Sequence, residues 1–218
     1  MFEKLLLLPL FQGLSHSELD AIVAGTKFAF AKTEAHHYAL HAGQVCDALW
    51  FLIRGSMVAV TRANDGSYSI EETLEAPWLI EPERLFGMRQ HFNSSYKATD
   101  ENAHFLSLSK NEVMRLQDEH LIFRLNFLNI LSTQAQRLRQ QRLRQRPSTL
   151  REAIIGFIAS RCLYPAGEKT INIKMQTLAN ELNEQRLHVS EALHALEEDR
   201  LLTLHRGRIH IPHLESCR

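Results

Sequence analysis

At 218 residues the chain is long enough to bury one large core or two small ones. With 44% hydrophobic and 23% charged residues it is an ordinary globular composition, which excludes a disordered or low-complexity protein. The formal net charge of zero hides a division, since residues 1–120 hold 10 Lys+Arg against 16 Asp+Glu and residues 121–218 hold 15 against 9, so the back half suits an anionic partner such as nucleic acid.

The first apolar run, residues 5–11, is broken by Pro9 and is too short to span a bilayer. It carries no basic leader or small-residue cleavage site, so no membrane partner and a cytoplasmic location are expected. Ser15 and Glu18 form a capping box, Leu19, Ile22 and Val23 share one side of the helix behind it, and Gly25 is its expected C-cap. The period then changes to that of strands, at 26–32, 38–40, 49–53, 57–62 and 70–74. Turn signals separate them at Ala42-Gly43, Arg54-Gly55 and Asn64-Asp65-Gly66. An irregular stretch, 77–95, precedes two more strands at 96–99 and 104–108. Closely spaced antiparallel strands of this kind predict a small barrel or β-roll over residues 1–120.

Ser109 and Glu112 form a second capping box and open a helix through residue 116. Residues 121–146 then run without Gly or Pro. Leu125, Leu128, Leu131, Ala135 and Leu138 fall at alternating three- and four-residue steps, which lines one side of a helix. Phe123, Phe127 and Ile130 widen the apolar surface at the start, and Arg137, Arg139, Arg142, Arg144 and Arg146 crowd the end. Such a helix is roughly 39 Å long. It reads as a spine that pairs with a second copy of itself, the other reading being a helix buried in a monomeric core. Its basic end suits either DNA phosphate or the helix's own C-terminal dipole.

Pro147 ends the spine. Thr149 and Glu152 make a third capping box, and the helix behind it presents Ile154, Phe157, Ile158 and Cys162. After a turn at Pro165-Ala166-Gly167 come a strand at 170–173, two helical segments around Asn183, and a hairpin of 202–204 with 209–211. Leu178, Ala179 and Leu182 give the first segment its buried side; Val189, Leu193 and Leu196 give the second. Asn183 tolerates the left-handed backbone of a tight turn, and the small Ala179 allows a close crossing. This is a helix-turn-helix, and with the hairpin behind it a winged one, predicted over residues 147–218. Its second helix would lie in the major groove of double-stranded DNA and offer Gln185, Arg186, His188, Ser190 and Glu191 to base edges. Lys174, Gln176, Arg206 and Arg208 suit phosphate.

The fold class is thus α+β: a β-roll, a long dimerisation helix at 121–146 and a C-terminal winged helix. That order resembles the Crp/Fnr transcription regulators. The resemblance is carried by LPLFQGLSHSEL (8–19), HAGQVCDALWFLIRGSMVAV (41–60), LSLSKNEVMRL (106–116) and residues 173–211, with Gly43 and Gly55 at the family's strand-turn positions. It implies a cyclic-nucleotide-binding-like sensor, a homodimer, a roughly palindromic operator, a small-molecule effector and RNA polymerase as a further partner. The family's cyclic-AMP cassette carries Gly-Glu for the ribose and, about ten residues on, Arg-Ser for the phosphate. Here Glu81-Pro82 and Phe92-Asn93 stand at those places, so both sides of the clamp are missing and cyclic AMP is not expected. Arg84, Arg89 or Lys97 could supply the missing cation from another position, and together with Glu81 they are the candidates for an effector pocket. Only Cys46 precedes the dimer helix, which argues against the iron–sulfur cluster of the oxygen-sensing branch. The family's Arg-Glu-x-x-x-Arg recognition pattern becomes Arg186-Leu187-His188-Val189-Ser190-Glu191, which implies a different operator.

Three scattered cysteines, Cys46, Cys162 and Cys217, form no CxxC and give no disulfide framework or thiolate metal site. His36 and His37, placed in a strand, would point to opposite faces, and with His41 they complete no metal site. No nucleophile–base pair, phosphate-cradling loop or paired catalytic carboxylates appear, so no enzymatic activity is expected. One alternative stands beside the regulator: a ligand- or redox-sensing module that acts through a protein partner and keeps a vestigial helix-turn-helix.

Overall fold

The computed structural model describes residues 5–99, 102–143 and 147–217. The expected Arg144 and Arg146 of the spine's basic end lie outside them, as does the side chain of Arg142. The chain forms two compact units, Met1–Met57 with Leu74–Arg142 and Val58–Thr73 with Leu143–Arg218.

In the first unit, α1 (His16–Gly25) begins on the expected capping box: the Ser15 hydroxyl accepts from the Glu18 N–H, and the Glu18 carboxylate accepts from the Ser15 N–H at 2.8 Å. Gly25 is not its cap. It is the last helical residue, and the extended Thr26 follows as the C-cap. The strands before residue 110, in chain order and across both units, are β1 (Phe28–Thr33), β2 (Tyr38–Leu40), β3 (Ala48–Arg54), β4 (Ser56–Arg62), β5 (Tyr68–Glu75), β6 (Trp78–Ile80), β7 (Ser94–Ala98) and β8 (Ala103–Ser109). β1, β8, β3 and β6 make an antiparallel sheet in that order, with Phe28 opposite Leu108 and Trp50 opposite both Ser107 and Ile80. β2 pairs with β7, with Leu40 opposite Tyr96. The stretch 77–95 is therefore less irregular than expected, because β6 lies inside it and adds an edge to β3. His36 and His37 fall in the turn between β1 and β2, not in a strand, and His36 has a positive φ of 64°. Gly55, at φ +85°, is fixed by sterics, since a Cβ there would stand 2.7 Å from the Asn102 carbonyl oxygen.

α2 (Lys110–Glu119) starts on Ser109, whose hydroxyl accepts from the Glu112 N–H. The extended His120 separates it from α3 (Leu121–Arg142). The first half of α3 is rooted in this unit's core. Phe123 is fully buried with its ring 5.4 Å from that of Phe11, Phe127 is 3% exposed with its ring 5.9 Å from that of Phe86, and the Asn126 amide donates to the Leu10 and Gln12 carbonyls.

The second unit is built from two separate stretches of chain. The β4–β5 hairpin turns as its sequence requires: Gly66 sits at φ 70°, and the Asp65 carboxylate accepts from the Ser67 N–H and hydroxyl. β5 then pairs with β9 (Lys169–Ile173), with Tyr68 opposite Ile173 and Glu72 opposite Lys169. α4 (Leu150–Arg161) is capped by Thr149. The helix pair is α5 (Met175–Leu182) and α6 (Arg186–Glu198), and the wing is β10 (Thr203–His205) with β11 (Arg208–Ile211). Here the sheet order is β10-β11-β9-β5-β4. One core holds Ile154, Phe157 and Ile158 of α4, Ile171 and Ile173 of β9, Leu178 and Ala179 of α5, Val189, Leu193 and Leu196 of α6, and Ile70 of the hairpin. Cys162, expected on that buried face, is only partly covered. Lys169 and Glu72, 1% and 0% exposed, form a buried ion pair at 3.3 Å. Arg161 ties Tyr68 (2.7 Å) to Glu181 of α5 (2.9 Å) while lying over the Phe157 ring.

Candidate nucleic-acid interface and effector segment

The turn between α5 and α6 is set by Asn183, at φ 53° and ψ 44°, and by the Glu184 N–H reaching back to the Ala179 carbonyl at 2.9 Å. A second left-handed residue, Arg200, ends α6, and the Glu197 carboxylate accepts from the Leu204 N–H at 2.7 Å, which fixes the wing to the end of α6. Val189, Leu193 and Leu196 are fully buried, so the opposite side of α6 faces solvent.

Of the expected base-reading residues, Glu191 lies on that side and His188 and Ser190 flank it, while Arg186, three residues before Val189 and seven before Leu193, is in line with the buried stripe and reaches solvent because it stands in the first turn. Gln185 is the N-cap, Arg186, His188 and Glu191 are exposed, and Ser190 is half-buried. His188 Nδ1 lies 3.6 Å from the Glu184 carboxylate. Two residues passed over in the sequence belong with them. Leu187 is 64% exposed, and Leu187, Glu191 and His194 follow each other along the centre of the outward face. The helical period could have found them: they stand opposite the Val189–Leu193–Leu196 stripe.

Lys174 and Gln176 lie exposed at the start of α5, and the Gln176 amide donates to the Asn180 side chain at 3.0 Å. Arg206 and Arg208 flank Gly207 at the tip of the wing, and Arg208 Nε donates to Asn172 at 3.1 Å. The helix starts differ in a telling way. Side-chain hydroxyls cap α1, α2 and α4, whereas α5 and α6 have no side-chain cap. Their first-turn N–H groups stay open to an anion such as a DNA phosphate.

In the first unit the expected effector residues separate. Arg89 is exposed on the surface, and Lys97 lies on the face of β7 opposite to buried Tyr96. Glu81 and Arg84 come together, with Arg84 Nε 3.5 Å from the Glu81 carboxylate. Glu81 is 6% exposed and adopts a left-handed backbone, φ 35° and ψ 56°. Its carboxylate accepts from the Asn93 N–H at 2.7 Å, the Ser94 N–H at 2.9 Å and the Tyr96 hydroxyl at 2.8 Å. No local signal announces these partners, 12 to 15 residues downstream. Burial, then the charge of Glu81, holds the Tyr96 phenol well above its usual range, so it stays a donor. The same two causes push the Cys46 thiol up to about 11. Among the described residues no His, Cys, Asp and Glu gather into a metal-binding group, and no helix is long and apolar enough to cross a membrane.

The spine's seam is placed as expected on one face of α3. Leu125, Leu128 and Leu138 are 47%, 52% and 63% exposed, Ala135 is exposed and Leu131 half-buried. Phe123 and Phe127 lie on the other face, so the helix has two apolar sides where the sequence reading had one widened stripe.

No protein-family model matches the chain, and a search of curated proteins finds no match. Solved structures do. The catabolite activator protein of Thermus thermophilus is 19% identical over 96% of both chains, with a TM-score of 0.50. The c-di-GMP-responsive global regulator CLP of Xanthomonas campestris is 14% identical over 91% of this chain and 99% of its own, with a TM-score of 0.52. The sensor domain of the transcriptional regulator DNR from Pseudomonas aeruginosa is 19% identical over 68% of this chain and 95% of its own, with a TM-score of 0.51. The fold is therefore the one that the sequence resemblance implied.

Proposed function

We propose that this protein is a transcription regulator of the Crp/Fnr type that binds DNA sequence-specifically as a homodimer. The observation that carries this reading is the exposed start and outward face of α6, with Arg186 in the first turn and Leu187, His188 and Glu191 beyond it, over a fully buried stripe and beside uncapped helix starts and the Arg206–Arg208 wing. Arg pairs with guanine, Glu accepts from cytosine, and an exposed leucine suits the thymine methyl group. The exposed seam of α3 supplies the second half of the argument. Leucines left half in water along a helix fit a second copy laid alongside, and two-fold pairing sets two recognition helices about one DNA turn apart.

The alternative with a redox sensor finds no support at Cys46, whose thiol is buried and stays protonated. Selection from random duplexes, followed by titration across salt, tests the proposal. A roughly palindromic site and a steep salt dependence are expected. Arg186→Ala should cost about 1–3 kcal/mol and relax one base position, and Arg206→Ala should weaken all duplexes alike and reduce the salt slope by about one. A wild-type protein that ignores every duplex and stays monomeric at micromolar concentration sinks it.

A further inference from the structure

We infer that the effector seat of the β-roll is occupied by the chain itself: the Glu81 carboxylate fills a buried oxyanion nest made by the Asn93 and Ser94 N–H groups and the Tyr96 hydroxyl, and the regulator takes no anionic effector there. This rests on reading the β-roll as the sensor of a DNA-binding regulator.

Three donors converge on one side chain that is almost wholly out of water. Two consecutive backbone N–H groups and a hydroxyl are the donor set that a carboxylate and a phosphate monoester share, since both present paired anionic oxygens. The backbone at Glu81 points the same way. A left-handed φ of 35° is the natural place for glycine, which would turn the chain at no steric cost. Glutamate stands there instead, and its carboxylate is held by the nest donors, with the Arg84 guanidinium 3.5 Å away. Without it, the buried Ser94 N–H and Tyr96 hydroxyl and the part-buried Asn93 N–H would lose their acceptor. The segment also leans on the dimer helix, because Phe86, five residues on, meets Phe127 of α3 edge to face. The nest, its occupant and α3 thus belong to one packed unit.

Glu81→Gly tests this, since glycine suits the backbone and leaves the nest empty. Acetate and inorganic phosphate are the probes, with chloride at equal ionic strength as control. The variant is expected to melt lower than wild type, to regain its melting temperature with millimolar acetate or phosphate, and to show saturable shifts of the Asn93 and Ser94 amide resonances. Wild type is expected to show neither response. If the variant folds only when acetate or phosphate is present, that dependence is itself the expected rescue. Saturable movement of the wild-type Asn93 and Ser94 resonances with either anion overturns the inference, as does a variant, folded or not, that acetate and phosphate leave unchanged. Duplex binding is scored apart. A wild type that binds no DNA removes the proposed function and leaves the nest standing, whereas a variant indifferent to anions removes the nest and leaves DNA binding untouched.

Discussion

Leu187 is the residue at which the proposed recognition helix departs most from the Crp/Fnr pattern. It lies at the centre of the outward face, 64% exposed, where the related pattern has an acidic side chain. Its value there is apolar contact, and the thymine methyl is the one apolar group in the major groove. Leu187→Glu should therefore shift the preferred base at one position per half-site from thymine towards cytosine, with a change of about 1–3 kcal/mol between the two, read by competition between duplexes. Residues such as Asn183 and Asp65 were legible because a turn imposes its demand on the residue that occupies it. Glu81 was legible only as a departure from a pattern; what it does depends on donors that the fold brings to it.

At the scale of the element, the spine shows why periodicity alone under-determines packing. Phe123 and Phe127 repeat at a helical spacing just as Leu125 and Leu128 do, and a sequence cannot say which stripe a helix spends on its own unit. The structure assigns the aromatic stripe inward and leaves the leucines in water. Leu128→Asp with Leu131→Asp should accordingly yield folded monomers, seen by light scattering, with tight operator binding lost. Melting of the first unit should change little, because Phe123 and Phe127 are untouched. The hydroxyls of Ser15, Ser109 and Thr149 all cap their helices, but of the three expected capping boxes only the first is reciprocal: the Glu112 carboxylate turns to Arg115, and that of Glu152 to Ser148.

At the scale of the whole molecule, the least legible feature is that the second unit borrows residues from the middle of the first half. The β5–β9 pairing joins Tyr68 to Ile173 across more than a hundred positions, and nothing near either residue announces it. The buried pair at its end gives a sharp test. Burial lifts the Glu72 carboxyl above its ordinary value of 4.5, against the Leu163 N–H and the charge of Lys169. An acid raised in the folded state contributes most below its unfolded value and loses that contribution as pH climbs through the folded one. Lys169→Met removes the cation and leaves Glu72 buried without it. The expected loss is about 3–5 kcal/mol at neutral pH, shrinking as pH falls towards 4.5, and mostly recovered in the double variant with Glu72→Met, read by denaturant melts across pH.

The borrowed hairpin also bears on how such a protein can be recombined. A crossover placed after residue 142 would look safe in the sequence, yet it would hand the incoming N-terminal segment's own hairpin to a foreign β9. Ile70 would be missing from the acceptor core, Tyr68 from Arg161, and Glu72 from the buried lysine. Chimaeras that exchange the N-terminal unit should keep their stability only when residues 58–73 travel with the C-terminal segment. The gene has a single apparent joint, but the inheritable module behind it comes in two pieces.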